Sequence, residues 1–188
     1  MSVAQPQSPL LTPEEYLADE DGAEGKHEYL SGLVYAMAGG TNRHHTIAGN
    51  VFAALHGRLR GKRCRPFNSD TLLHIQRASD TRFYYPDAMV ICDQRPLDDR
   101  FQDKPVVIFE VQSETTARID RGEKHGAYLS MPTMQAYVLV EDEQCAITVW
   151  RRVGERWEME YLSDKSATLR LDAIECELPL AEIYDGVL

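Results

Sequence analysis

Apolar residues recur every four positions at Ile47, Val51, Leu55 and Leu59, with Ala48 and Phe52 beside them. That spacing lines one face of a helix and predicts helix over 42–60, stopped by Gly61. Upstream, Thr12-Pro13-Glu14-Glu15 has the form of a helix start. Thr12 suits the N-cap, Pro13 the first helical position and Glu15 the reciprocal cap. A short helix to about Leu17 or Ala18 follows, then the acidic loop Asp19-Glu20-Asp21-Gly22. Runs at 27–30 and 33–37 meet at Ser31-Gly32, a hairpin signal.

Beyond the long helix the pattern shortens to that of strands. Segments 64–68, 71–75, 83–85, 88–92 and 106–112 are expected to be extended, with a polar loop over 93–104. A second helix is expected from Thr116 or Asp120 to Ser130, ended by Met131-Pro132. Strands at 136–140, 146–152 and 157–162 follow, with Gly154 as a turn, and one last helical turn within 178–184. This order gives an α/β (α+β) fold. Strand 106–112, the second helix and strand 136–140 make a crossover unit, so those two strands should be parallel.

The 188 residues suit one domain over 12–188 behind a short disordered leader, 1–11. No run of 18 apolar residues occurs, so no spanning helix is expected. The start, MSVAQPQSP, lacks both a basic and an apolar stretch, and a cytoplasmic protein is expected. Cys64, Cys92, Cys145 and Cys176 have no zinc or redox spacing, and Cys92, in an apolar run, reads as a buried free thiol. The net charge of −10 argues against nonspecific wrapping of nucleic acid, which basic proteins favour. Any DNA contact must then be local, or aided by metal ions and a second subunit.

The candidate chemistry lies in Tyr85-Pro86-Asp87 and Phe109-Glu110-Val111-Gln112-Ser113. Glu110 ends the apolar run Val106–Phe109, where an unpaired carboxylate would be costly. In a strand Glu110 and Gln112 share a face and Val111 points away. Pro86 places Asp87 at an edge, a bulge or a strand start. Two carboxylates on neighbouring strands make an oxygen site suited to Mg²⁺ or Mn²⁺. From these residues alone a second reading stays open, with Asp87 in a turn and Glu110 paired to an arginine.

The segment resembles the PD-(D/E)XK motif. More narrowly, the chain is similar to the small Uma-type restriction endonucleases of that superfamily. The matching pieces are His27–Gly32, His45, Tyr85-Pro86-Asp87, Glu110–Thr116, Asp120–Lys124, Tyr128 and Tyr137–Val140, in order over about 12–184. The resemblance implies a restriction-endonuclease-like core: a mixed β-sheet flanked by helices, with extra N- and C-terminal strands. It implies a metal-dependent DNA endonuclease that acts as a homodimer, in which Asp87, Glu110 and the Val111 carbonyl hold the ion. Glu28 would bind a second ion or a metal-bound water; a hairpin salt bridge is its plainer alternative.

The chain departs from the motif at Gln112, where lysine is expected. Glutamine can orient water but brings no charge. On a helix Asp120, Lys124 and Tyr128 share a face, so Lys124 can stand in; a solvated Asp120–Lys124 pair is the alternative. His45, at the helix start, together with Arg118 and Arg121, is expected to meet DNA phosphates; for His45 capping or core contact is the alternative. The basic cluster over 58–65 reads as a solvated surface, and Trp150 and Trp157 as packing residues. Because of Gln112 and the acidic charge, a catalytically inactive DNA- or protein-binding module stands as the alternative function.

Overall fold

Among the described residues strands outnumber helices. In order they are α1 (Pro13–Glu20), β1 (His27–Leu30), β2 (Leu33–Ala36), α2 (Asn42–Leu59), β3 (Arg65–Asn68), β4 (Leu72–Gln76), β5 (Thr81–Tyr84), β6 (Ala88–Ile91), β7 (Phe101–Gln102) and β8 (Pro105–Gln112). A π-helical turn (Asp120–Lys124) then runs into α3 (His125–Leu129), followed by β9 (Ala136–Glu141), β10 (Ile147–Val153), β11 (Arg156–Leu162) and β12 (Thr168–Leu171). A 3₁₀ turn (Asp172–Ile174), β13 (Cys176–Pro179) and α4 (Leu180–Ile183) complete the order. The computed structural model describes residues 10–37, 39–78, 80–112 and 120–188, with backbone alone for 120 and 121. Two compact units result, 1–39 with 74–84, and 40–73 with 85–188.

In the first unit the expected capping box forms: Glu15 N donates to Thr12 Oγ1, and Thr12 N to Glu15 Oε2. Helix α1 runs two residues beyond the expected Ala18. The β1–β2 hairpin turns at Ser31 and Gly32, both with positive φ, as a two-residue turn requires. Tyr16, Tyr29 and Phe83 bury their rings 5.1–5.8 Å apart and form the core of this unit. Strands β2, β1, β5 and β4 lie side by side.

The second unit is built on a six-stranded sheet, β11-β10-β9-β8-β6-β3. Strands β8 and β9 are parallel, as a helical crossover between them requires, and the other pairs are antiparallel. Alternation splits β8 between two faces. Val107, Phe109 and Val111 join Ile47, Val51 and Leu55 of α2 in the main core, together with Leu169, Leu178 and Ile183 of the C-terminal elements. The intervening residues face the other way. There Ile108 and Trp150 flank Tyr137 in register, and Tyr128 of α3 meets the Tyr137 ring at 5.3 Å.

Two sequence expectations are corrected in this unit. Cys92 is not a free thiol: it is disulfide-bonded to Cys64. The register explains why, since Arg65 pairs with Ile91 and the next residue outward on each strand is a cysteine. Sequence spacing carries no trace of that pairing. The loop 93–104 also holds a short strand, β7, which pairs in parallel with Leu72 and Leu73. The hairpin β12–β13 was not expected either. It is two short strands joined through the 3₁₀ turn, with Glu175 in the left-handed region.

Candidate active site

The site grows out of the β6–β8 ladder. Ala88 pairs with Phe109 and Met89 with Ile108, so one step further along the antiparallel ladder brings Asp87 across from Glu110. Pro86 lies two residues before β6, where its missing N–H costs no ladder bond. In place of a ladder bond, Asp87 Oδ2 accepts the Val111 N–H at 2.7 Å. A strand residue directs its N–H and C=O to the same neighbour, so the Val111 carbonyl also faces the Asp87 side.

Glu110 is 4 % exposed and points away from the α2 core, beneath the turn 120–124 and α3. Its Oε1 accepts from Lys124 Nζ at 3.3 Å and from Tyr128 Oη at 2.8 Å. Lys124 is 7 % exposed and Tyr128 fully buried, so this is an interior ion pair and not a solvated one. Oxygen ligands of this kind, two carboxylates and a carbonyl, fit a hard divalent cation, which retains several waters of its own. Among the described residues no three His, Cys, Asp or Glu side chains converge as a ligand cluster, and this donor set does not need one.

Residues 13–181 match the Uma2 family, whose description reads "Putative restriction endonuclease". The chain belongs to that family. Two proteins of Synechocystis sp. are similar to this Uma2 chain over most of their length. "Uncharacterized protein slr1290" is 33 % identical over 180 residues, covering 95 % of this chain and 94 % of its own. "Uncharacterized protein sll1609" is 30 % identical over 164 residues, covering 85 % and 92 %. Among solved structures, one from Anabaena variabilis ATCC 29413, described as "a putative nuclease belonging to DUF820", superposes with a TM-score of 0.73. It is 17 % identical and covers 95 % of this chain and 99 % of that one. The Uma2 chain thus has a restriction-endonuclease-like α/β fold.

Of the residues singled out in the sequence, the second unit brings together Asp87, Glu110, Val111 and Lys124. Gln112 is 2 % exposed and, two residues on, shares the face of Glu110. His45 is exposed on the first turn of α2, its ring 5.3 Å from that of His44. Glu28 belongs to the first unit, in β1 opposite Tyr35, and is half-buried. Arg121 falls in the turn 120–124, while Arg118 and the expected helix start at Thr116 lie outside the described residues. In the basic cluster, Arg58 pairs with Glu182 and Arg63 donates to the Cys92 carbonyl. Sequence reasoning missed two residues. His44 Nε2 lies 2.9 Å from Asp87 Oδ1, and Tyr128, noted for its helix face alone, proves to be a donor to Glu110. Nothing in the sequence ties position 44 to position 87; the ladder register does.

Beside Lys124, the His125 ring packs on Trp150 at 4.7 Å, and its Nε2 has no hydrogen-bond partner among the described residues. Burial lowers its pKa from the usual 6.5. The folded state therefore binds fewer protons than the unfolded chain in this range. The stability gained from a neutral ring is present above about pH 6.5 and is lost as pH falls toward the lowered folded value. Replacing His125 by phenylalanine should flatten melting temperature against pH below about 6.5. An unchanged slope in thermal melts would refute this account.

Proposed function

We propose that this Uma2 protein is a divalent-metal-dependent DNA endonuclease that hydrolyses phosphodiester bonds. Asp87, Glu110 and the Val111 carbonyl would hold Mg²⁺ or Mn²⁺. The observation that carries the reading is the buried Lys124–Glu110 pair set beside Asp87, a charged arrangement that a purely structural core would not need. When bound, the ion would lower the pKa of a coordinated water and neutralise charge on the phosphate.

The chain's own residues do the rest. Glu110 and Asp87 fix the site on two neighbouring strands, which makes it rigid. Lys124 presents an ammonium where negative charge builds on the phosphate oxygens as water attacks phosphorus and the ester P–O bond breaks. Gln112, on the same face, can orient the attacking water by hydrogen bonding. His45, Arg118 and Arg121 are assigned to phosphate contacts. Cutting both strands of a duplex calls for two sites, which a homodimer supplies.

The test is incubation of the purified protein with plasmid and linear DNA, with Mg²⁺, with Mn²⁺, or with chelator. Metal-dependent cleavage lost in Asp87→Ala is the expected result; cleavage that survives the substitution refutes the site. The second reading, a non-catalytic binding module, is favoured by Gln112 in the motif's lysine position and by the −10 net charge. It predicts DNA binding without cleavage under any metal.

A further inference from the structure

We infer that Gly40 and His44 form a positioning device for Asp87, so that the carboxylate is aimed before any ligand arrives. This rests on the metal-site reading above and extends it to two residues outside the motif. Thr41 caps helix α2, its Oγ1 accepting from His44 N at 3.2 Å. That cap fixes the first helical turn and, with it, the direction of the His44 side chain. His44 Nε2 then meets Asp87 Oδ1 at 2.9 Å, with both side chains 14 % exposed. Toward a carboxylate oxygen that nitrogen must donate, which selects the Nε2–H tautomer.

Asp87 is therefore held at both oxygens, Oδ1 by the His44 ring and Oδ2 by the Val111 N–H. Two donors from different elements leave the carboxylate little rotation about its side-chain bonds. Held in this way, each oxygen keeps a lone pair for an ion and loses no side-chain entropy on binding it.

Gly40 completes the device. A methyl group there would stand 2.8 Å from His44 Cδ2, 3.0 Å from its Cγ and 3.2 Å from His45 Cε1. Gly40 is not among the glycines of positive φ, so backbone conformation does not call for glycine at this position. Space does. Cδ2 neighbours Nε2 in the ring, so a side chain at 40 would push away the atom that holds Asp87. A ring pinned by Asp87 cannot yield as a solvent-exposed side chain would.

The experiment has a metal arm and a geometry arm, both on the full chain with thermal melts as a fold check. In Mn²⁺ calorimetry, His44→Ala should weaken binding about 10- to 100-fold, the usual loss when a ligand's hydrogen-bond partner is removed. Gly40→Ala should weaken it in the same direction while touching neither carboxylate. His44→Gln, whose amide N–H can replace the ring donor, should recover most of the affinity. Wild-type affinity in His44→Ala, with binding abolished in Asp87→Ala, overturns the device and spares the metal site. Binding that survives Asp87→Ala overturns the metal site itself. The geometry arm needs no metal: ring-nitrogen NMR should show His44 protonated at Nε2, with the signal shifted in Asp87→Ala and in Gly40→Ala. An Nδ1–H tautomer, or a signal indifferent to Gly40→Ala, overturns the device.

Discussion

Glu110→Ala is expected to abolish cleavage and also to destabilise the protein by about 3–5 kcal/mol. The second effect follows from what stays behind. Lys124 keeps an ammonium group with a side chain 8 % exposed, after losing the carboxylate 3.3 Å away. Tyr128, fully buried, loses the acceptor of its hydroxyl at the same time. Removing one member of a buried ion pair costs far more than removing both, because the remaining charge loses a partner in the interior. The double variant Glu110→Ala/Lys124→Met should therefore regain most of the stability in urea denaturation while remaining inactive. A double variant no more stable than Glu110→Ala would show that the ion pair is not what holds this part of the fold. The same design separates the two roles of Glu110, since stability returns and cleavage does not.

Lys124→Met should lower the cleavage rate about 100- to 1000-fold, the loss typical of one charge-stabilising group in an active site. Mn²⁺ affinity should change less than in His44→Ala, because Tyr128 still donates to Glu110 and the loss of a neighbouring cation offsets the lost hydrogen bond. Methionine fills a comparable volume without charge, so the helix 125–129 should keep its packing. A drop in kcat at saturating Mn²⁺ is the expected pattern. Full cleavage by Lys124→Met would leave Gln112 as the polar group acting on the water.

The lysine illustrates what could be read from the letters alone. Helical spacing placed Lys124 and Tyr128 on one face, and strand parity turned Glu110 toward a different layer from Val111. Neither rule says that the two faces meet. They meet because β8 and β9 are parallel, which returns the intervening chain across one side of the sheet. The turn 120–124 is also π-helical, a local departure that an α-helical periodicity cannot anticipate. The long helix α2 and the hairpin at Ser31-Gly32 were legible because their signals are local: an apolar stripe, a cap, a two-residue turn. The disulfide, β7 and the hairpin β12–β13 were not, because strands of two to four residues carry too little pattern to separate from loop.

The sequence by itself determined the order of the main elements, whose signals are local, and through resemblance the family; it singled out Asp87 and Glu110 without fixing that they lie side by side. Tertiary structure alone decided what surrounds that pair. It put His44 on Asp87, Tyr128 and Lys124 on Glu110, and Cys64 on Cys92. The physical reason is register. A strand fixes which way its residues face, but which residue lies opposite is set by the partner strand and by the packing that locks the ladder in place.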